Sequence, residues 1–389
     1  MQKTQSLYLH VPFCNKACTY CNYHFSTSQR GKAEMVEAIG RELDLRRSEL
    51  SARPLATIYF GGGTPSLLSS KELDFLFEAI HRNAEVLPGA EITLEANPDD
   101  LDPPTIERLA NSPVNRLSIG VQSFADEDLK YMGRVHNRAQ AIRSLEDVRR
   151  AGFHNFSIDL IFGSPTTNDQ IWADNLQLAI DCQAKHISAY ALTIEEKTAL
   201  EYQIRKGKSE APSDERAEAQ YFAMCDFFVA QGFDHYEIAS FARPGHRSRH
   251  NSNYWSGRPY IGVGPSAHGF DGKNERRWNI ANNLKYVNAL SEMETYADYL
   301  QSDALYESEI LQPADRYNET IMTRLRETAG VDLDQIGADY GQRFVDYFLA
   351  QMRDHLDSGR IIKREGKYAL ATHARFLADG IAADGFYIT

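Results

Sequence analysis

The chain has 389 residues, of which 42% are hydrophobic and 25% are charged; these values are typical of globular proteins and exclude a generally disordered chain. Its formal net charge of −12 argues against a main role in binding a nucleic-acid backbone, which needs clustered Lys and Arg. The sequence has no apolar run near the ~18 residues of a membrane span and no apolar signal segment, so we expect a soluble, cytoplasmic protein.

The first half of the chain alternates between short β-rich runs and longer helical segments. The predicted strands are residues 7–13, 56–60, 91–95, 116–121, 156–162 and 186–192. The predicted helices between them are residues 35–50, 72–81, 105–109, 139–150 and 170–181. Six strand–helix repeats predict a parallel sheet, either an incomplete (β/α) barrel or a strongly curved open sheet. In both cases we expect the chemistry at the carboxyl ends of the strands.

The second half is divided by changes in composition. A long helix is predicted over residues 215–231, ending at Gly232, and the Gly- and aromatic-rich residues 233–283 are predicted to be an irregular functional segment. Three helices and a hairpin after residue 313 form a winged-helix pattern, which we interpret as a packing or partner module because it lacks a basic surface. We therefore predict three parts: a partial barrel over residues 1–210, an extension of the barrel over 211–300 and a C-terminal winged-helix-like domain over 301–389.

Three of the five cysteines fall close together at the end of the first strand. Cys14, Cys18 and Cys21 form a Cys-x3-Cys-x2-Cys loop, which can hold three irons of a 4Fe-4S cluster and leave the fourth open. A zinc site with His10 or His24 as a fourth ligand is the alternative. The other two cysteines, which lie among apolar residues, are expected in the core: Cys182 and Cys225.

The cysteine spacing resembles that of the radical S-adenosylmethionine (radical SAM) superfamily. The resemblance implies a 4Fe-4S cluster whose open iron is chelated by the amino and carboxylate groups of SAM. Other strands are followed by groups that could bind the amino and carboxylate groups of SAM. Three glycines in Gly61-Gly62-Gly63-Thr64-Pro65 allow close approach to a ligand, although a plain turn is the alternative. Arg134 could pair with the SAM carboxylate, or be a solvated charge at a helix end.

Five motifs narrow the resemblance to one family. These motifs are similar to motifs of the oxygen-independent coproporphyrinogen oxidase family, and the similarity extends over nearly the whole chain. They are Tyr-Leu-His-Val-Pro-Phe-Cys, Tyr-Phe-Gly-Gly-Gly-Thr-Pro-Ser, Glu-Ala-Asn-Pro, Ser-Ile-Gly-Val-Gln-Ser-Phe and Ile-Asp-Leu-Ile-Phe-Gly. The resemblance implies an incomplete (β/α)6 radical SAM barrel with a C-terminal helical, winged-helix-like domain. It also implies a SAM site formed by Tyr8, Gly62, Gly63, Thr64, Glu95, Gln122, Arg134 and Asp159, with Ala191 toward the adenine.

The family contains both coproporphyrinogen dehydrogenases and HemW-type heme chaperones. The dehydrogenases carry a fourth cysteine two residues after the third, where this chain has Tyr23. They also have an N-terminal extension, whereas six residues precede Leu7 here. Both differences disfavour oxidative decarboxylation of a porphyrinogen.

The segment from His250 to Trp255 resembles the His-Asn-x-x-Tyr-Trp signature of the heme chaperones. An imidazole can ligate heme iron, and neighbouring Tyr and Trp rings offer flat faces to a porphyrin. By itself the segment could also be a turn anchored by two core aromatic residues. Arg243, Arg247 and Arg249 could meet the heme propionates, with solvated basic side chains as the alternative. His268 could be a second axial ligand of the heme iron.

These observations predict a heme chaperone that carries the cluster and SAM and delivers heme to an unidentified acceptor protein. No catalytic residue is assigned, no nucleic-acid partner is expected, and both a homodimer and a membrane-associated acceptor are compatible with the prediction. The alternative is an oxygen-independent coproporphyrinogen III oxidase that uses a 5′-deoxyadenosyl radical. A zinc-dependent or nucleic-acid-binding regulator is disfavoured by the acidic charge.

Overall fold

The computed structural model describes residues 4–388, which form one large sheet, a separate hairpin and the helices around them. The strands are β1 (Gln5–Val11), β2 (Leu55–Gly62), β3 (Val86–Ala96), β4 (Arg116–Gln122), β5 (Phe156–Phe162), β6 (His186–Ala191), β7 (Asp234–Glu237), β8 (Ser240–Ala242), β9 (Tyr260–Val263), β10 (His268–Phe270), β11 (Glu275–Asn279), β12 (Tyr306–Ile310), β13 (Ile361–Arg364) and β14 (Lys367–Leu370). The large sheet has the order β12-β11-β10-β9-β1-β2-β3-β4-β5-β6-β8-β7.

The six predicted strands are β1 to β6, and each pairs with the next in parallel, as predicted. The long crossovers between them carry the predicted helices, which return the chain to the same edge of the sheet. Within residues 4–388 the strand order is linear and its two ends do not pair, so the barrel is not closed. The fold is an α/β sheet of the incomplete-barrel type.

The helices of the first half are α1 (Lys32–Leu45), α2 (Arg47–Leu50), α3 (Ser70–Asn83), α4 (Pro103–Ala110), α5 (Asp126–Tyr131), α6 (Arg138–Arg150), α7 (Asp169–Asp181) and α8 (Ala199–Arg205). Those of the second half are α9 (Asp214–Ala230), α10 (Arg249–Trp255), α11 (Asn283–Glu292), α12 (Tyr296–Leu300), α13 (Pro313–Arg326), α14 (Leu333–Tyr340), α15 (Gln342–Gln351), α16 (Arg353–Asp357) and α17 (Ala378–Asp384). Short 3-10 helices lie at Pro65–Leu67, Pro98–Asp100 and Thr372–Leu377.

Helix α3 illustrates why these segments fold locally. Ser69 accepts a hydrogen bond from the Glu72 backbone N–H, and the Glu72 side chain accepts one from the Ser69 N–H. This capping box satisfies two backbone donors at the helix start. Leu73, Leu76 and Ile80, at helical spacing, bury one face against the sheet core. The local sequence therefore specifies both where the helix begins and which face it buries.

The prediction that residues 233–283 are irregular was wrong. They form β7 to β11 and α10, in pieces of three to seven residues that are too short to show a clear hydrophobic period. Strand β8 pairs antiparallel with β6, and β9 pairs parallel with β1. This segment thus extends the parallel block at both of its ends, which short-range sequence patterns do not reveal.

The C-terminal part has the predicted order of helices followed by a hairpin, α13 to α16 and then β13–β14. It has its own hydrophobic cluster, which includes Tyr317, Phe344 and Ile361. Strand β12, however, pairs with β11 in the large sheet. The boundaries of the three-part division stay a prediction.

None of the helices between residues 4 and 388 combines the length and hydropathy that crossing a membrane requires.

Candidate functional site

A cavity of about 940 Å³ opens at the carboxyl ends of the parallel strands. Its wall includes residues at the ends of β2, β3, β4, β5 and β6, where parallel α/β sheets bind their ligands. The residues predicted to hold the cluster and SAM, together with His250, lie on this wall: Tyr8, Cys14, Cys18, Cys21, Gly62, Gly63, Thr64, Glu95, Gln122, Arg134, Asp159, Ala191 and His250. The structure therefore brings the predicted residues together, while their individual roles stay proposals.

The three cysteines of the loop after β1 are free thiols, partly exposed to the cavity. The loop is folded back on the protein, because the Cys14 N–H donates to Ser26 O at 3.0 Å and the Thr19 N–H donates to Met132 O at 3.0 Å. In the part of the chain that the structure describes, no three His, Cys, Asp or Glu side chains converge on a single ion. A cluster does not require such convergence, since each thiolate binds a different iron.

The zinc alternative needs His10 or His24 as a fourth ligand, and both rings are hydrogen-bonded elsewhere. His10 Nε2 donates to His24 O at 2.8 Å, and His24 Nε2 lies 2.7 Å from Asn283 Oδ1. Neither ring lines the cavity with the cysteines. The donor set around the cavity therefore fits a three-cysteine cluster better than a four-ligand zinc site.

The glycine-rich turn after β2 packs directly on the cysteine loop. The Gly63 N–H donates to Val11 O at 2.9 Å, and the Thr64 N–H donates to Phe13 O at 2.7 Å. A Cβ on Gly63 would lie 2.5 Å from Phe13 O. Only a glycine permits this approach, so the turn holds the cysteine loop in place as well as facing the cavity.

Two partly buried carboxyl groups face the cavity from β3 and β5. Glu95 accepts a hydrogen bond from the Tyr59 hydroxyl at 2.8 Å and one from the Gly62 N–H at 3.2 Å. Burial raises the pKa of Glu95 to about 7 despite these bonds, with a further contribution from the charge of Asp159. Burial likewise raises the pKa of Asp159 to about 6. These carboxyl groups are acceptors suited to the ammonium and ribose hydroxyls of a bound SAM.

Arg134 joins the cysteine loop to the strand ends. Its Nη1 lies 3.3 Å from Cys18 Sγ, and Nη2 donates to Asn97 Oδ1 and Gly120 O, each at 2.6 Å. Its Nε is buried without a partner in the described chain.

Gln122, at the end of β4, has a left-handed backbone with φ 66° next to a register shift in the strand pairing. Such local strain is common at functional sites.

His250 lies on α10 and is 1% exposed. Its Nδ1 lies 2.8 Å from Thr57 Oγ1 and its Nε2 lies 2.8 Å from the Tyr254 hydroxyl. Burial, with the charge of Arg116, lowers its pKa to about 3, so the ring is neutral, which is the form that binds metals. Coordination of iron by Nε2 would have to replace the Tyr254 hydrogen bond.

The other basic groups considered from sequence do not line the cavity. Arg243 donates to Gln231 O and stacks on Phe233, and Arg247 pairs with Asp234. The remaining two groups also have structural partners: Arg249 donates to Gly89 O, and His268 stacks on Trp278. Cys182 and Cys225 belong to the hydrophobic core, as predicted.

Residues from the C-terminal part line the same cavity, and sequence reasoning missed them. They are Arg326, Arg375, Phe376 and Asp379. No motif marks them, and they lie at least 70 residues from the heme-chaperone signature along the chain. Their proximity arises where the backbone N–H of Ile238 donates to Arg326 O at 3.0 Å, which ties the end of α13 to the turn between β7 and β8.

Comparison with known proteins places these features in context. The sequence profile of the Radical SAM superfamily matches residues 8–179. The chain is 31% identical to heme chaperone HemW of Bacillus subtilis (strain 168), covering 97% of this chain and 98% of that protein. It is 33% identical to heme chaperone HemW of Mycobacterium tuberculosis (strain ATCC 25618 / H37Rv), covering 96% of this chain and 93% of that protein.

A solved structure shares the fold over almost the whole chain. The radical SAM enzyme coproporphyrinogen III oxidase (HemN) from Escherichia coli matches with a TM-score of 0.83 at 22% identity, covering 99% of this chain and 90% of that one. At this identity the similarity shows the fold alone. The arrangement of strands, cysteine loop and C-terminal part is thus that of a known radical SAM fold.

Proposed function

We propose that this chain, which belongs to the HemW family of the radical SAM superfamily, is a heme chaperone that binds heme and passes it to an acceptor protein. The observation that carries the proposal is that one cavity is lined both by Cys14, Cys18 and Cys21 and by His250 and Tyr254. The cluster motif and the heme-chaperone signature are more than 200 residues apart in the sequence. Their meeting at one cavity supports a site for both cofactors.

In this proposal the three cysteines hold a 4Fe-4S cluster, whose open iron is available to SAM. Together the cluster and SAM would supply electron transfer and radical chemistry when bound. The turn at Gly62 and Gly63 would orient its carbonyl groups toward the SAM ammonium, and Arg134 would pair with the carboxylate. The remaining proposed SAM contacts are Tyr8, Thr64, Glu95, Gln122 and Asp159.

Heme would be held on the α10 side of the cavity. We assign His250 Nε2 as the iron ligand, because the residue lines the cavity, the ring is neutral and Nε2 is held by the Tyr254 hydroxyl, which also lines the cavity. Losing the hydrogen bond to Tyr254 costs about 1 kcal/mol. The Tyr59 ring, 4.9 Å from the imidazole, gives the ligand an apolar wall.

Transfer of heme requires a second protein, which we propose to be a heme-dependent acceptor. We further propose that the chaperone acts in the cytoplasm, with no nucleic-acid partner, and that a homodimer or a membrane-bound acceptor is compatible with this role. The net charge of −12 supports the exclusion of a nucleic-acid partner, because clustered positive charge drives nucleic-acid binding.

The heme proposal is tested by titrating heme into anaerobically purified protein while recording absorption. Wild type should bind heme at a fixed stoichiometry, and His250→Ala should lose the histidine-ligated spectrum. His268→Ala is the matched control, since His268 stacks on Trp278 away from the cavity. Heme binding that is undiminished in His250→Ala contradicts the assignment of the ligand.

The cluster proposal is tested separately by iron and sulfide content. The Cys14→Ala, Cys18→Ala, Cys21→Ala triple variant should lose both, while the Cys182→Ala, Cys225→Ala double variant should keep them because those cysteines are in the core. Full iron content in the triple variant would show that the cysteine loop does not hold the cluster.

Oxidation of coproporphyrinogen III is the alternative to exclude, since the fold is shared with a protein that is described as a coproporphyrinogen III oxidase. Tyr23, which replaces the fourth cysteine of those enzymes, is 71% exposed at the cavity wall. Anaerobic incubation with coproporphyrinogen III, SAM and a reductant should give no protoporphyrinogen. Sustained turnover there would make the protein an oxidase and contradict the chaperone role.

A further inference from the structure

Arg375, in the 3-10 helix Thr372–Leu377, is a half-buried cation on the cavity wall. Its Nη1 donates to His235 Nδ1 at 2.6 Å. Among residues 4–388, no Asp or Glu lies within salt-bridge distance of this guanidinium, although the charge of Asp234 acts on it from farther away. A half-buried cation without a paired carboxylate is unusual, because removing an uncompensated charge from water is costly.

The partner of Arg375 does not compensate its charge. The His235 ring is stacked on Phe241 with 4.2 Å between ring centroids, and its Nε2 lies 3.4 Å from Ile238 O. Burial and the neighbouring Arg375 charge lower the pKa of His235 to about 3. The neutral imidazole thus orients the guanidinium by accepting one hydrogen bond, while the positive charge stays available to a ligand.

Arg326, at the end of α13, is the second cation on the same wall. Its guanidinium lies 5.4 Å from the centroid of the Trp255 ring, next to the heme-chaperone signature. Nη1 pairs at 2.6 Å with Asp379, whose side chain is 74% exposed, and Nε is buried without a partner in the described chain. Because exposed ion pairs contribute little, a ligand carboxylate can replace Asp379 at small cost.

We propose that Arg326 and Arg375 bind the propionate carboxylates of the heme. The C-terminal part then supplies the two carboxylate anchors, while α10 supplies the iron ligand. Arginine suits this role, because its planar fork binds a carboxylate through two hydrogen bonds. Phe376, adjacent to Arg375 in the cavity wall, provides the apolar surface that a porphyrin edge requires.

This inference rests on the proposed heme-binding function and identifies which part of the ligand the C-terminal part recognises. It also assigns the propionates to different residues from those that the sequence suggested. Arg243 and Arg247 are held by Gln231 O and Asp234 and do not line the cavity, which makes them controls of the same residue type.

The test compares heme with its dimethyl ester, in which both carboxylates are blocked, as ligands of the full-length protein. Wild type should bind heme more tightly than the ester. Arg326→Gln and Arg375→Gln should each weaken heme binding by about tenfold and leave ester binding unchanged, as expected for loss of a charge-assisted hydrogen bond. Arg243→Gln should leave both affinities unchanged.

Lysine variants keep the experiment decisive if a glutamine variant unfolds. Arg326→Lys and Arg375→Lys retain the charge but lose the fork, and should weaken heme binding by an intermediate factor. A wild-type protein that binds heme and its ester equally, or glutamine variants that weaken both equally, would overturn this inference alone. A wild type that binds neither ligand overturns the proposed function and this inference with it.

Discussion

The guanidinium of Arg134 lies against the sulfur of Cys18, with 3.3 Å between Nη1 and Sγ. The same side chain holds the Asn97 amide oxygen and the Gly120 carbonyl oxygen through Nη2. One residue therefore connects the cysteine loop with the ends of the third and fourth strands. The guanidinium also lines the cavity where SAM is proposed to bind.

Replacing Arg134 by Gln should weaken SAM binding to the cluster-loaded protein by about tenfold or more, because a hydrogen-bonded cation is lost opposite a carboxylate. Equilibrium dialysis with labelled SAM measures this change. Arg150→Gln, on the exposed side of α6, is the control and should bind SAM as wild type does. Unchanged SAM affinity in Arg134→Gln would exclude the proposed role.

Replacing Gly63 by Ala should destabilise the protein by roughly 1–3 kcal/mol, the usual cost of overpacking, because the new Cβ meets the Phe13 carbonyl oxygen. The displaced turn should also lower the iron content of the cysteine loop. Urea unfolding and iron analysis measure the two effects. Gly380→Ala is the control, since a Cβ there meets nothing within 4 Å and the residue lies in α17. Equal stability of the two variants would contradict the packing argument.

Acid should destabilise the protein partly through His250. Burial, followed by the charge of Arg116, lowers the pKa of this ring to about 3. Between pH ~6.5 and the folded value the unfolded chain binds a proton that the folded chain does not, so the free energy of unfolding decreases as pH falls. One such group contributes up to about 1.4 kcal/mol per pH unit in this window.

His250→Gln should therefore flatten the dependence of the unfolding free energy on pH between about 6.5 and 5, the range just below the pKa of a free imidazole. Urea unfolding at several pH values measures the slope. His81→Gln, on the exposed face of α3, should retain the wild-type slope. A His250→Gln slope equal to wild type would mean that the ring gains a proton in the folded state.

Replacing Tyr254 by Phe should strengthen heme binding by a few-fold. The change removes the hydroxyl that lies 2.8 Å from His250 Nε2, and a net hydrogen bond is worth about 0.5–1.5 kcal/mol. Heme titration gives the affinity, and thermal unfolding checks that the fold is kept. Tyr260→Phe, whose ring packs on Tyr254, is the control. Loss of heme binding in Tyr254→Phe would instead identify the hydroxyl as a heme contact.

The sheet and the cysteine loop were predictable because each rests on local patterns. Each of β1 to β6 overlaps its predicted strand, and the parallel pairing follows from the length of the crossovers. The parallel topology also brought Glu95, near the end of β3, and the glycine turn after β2 to one cavity with Asp159 of β5. Residues 233–283 were not predictable, because strands of three to five residues carry too little periodicity.

The sequence by itself determined the alternation of strands and helices, the cysteine motif and the position of the heme-chaperone signature, because these depend on residues close together in the chain. Tertiary structure alone decided the rest. It placed both ring nitrogens of His250 in hydrogen bonds with Thr57 and Tyr254. It also brought Arg326 and Arg375 to the wall of the cavity. Such contacts depend on how distant segments pack, and no local pattern of charge or hydrophobicity encodes that packing.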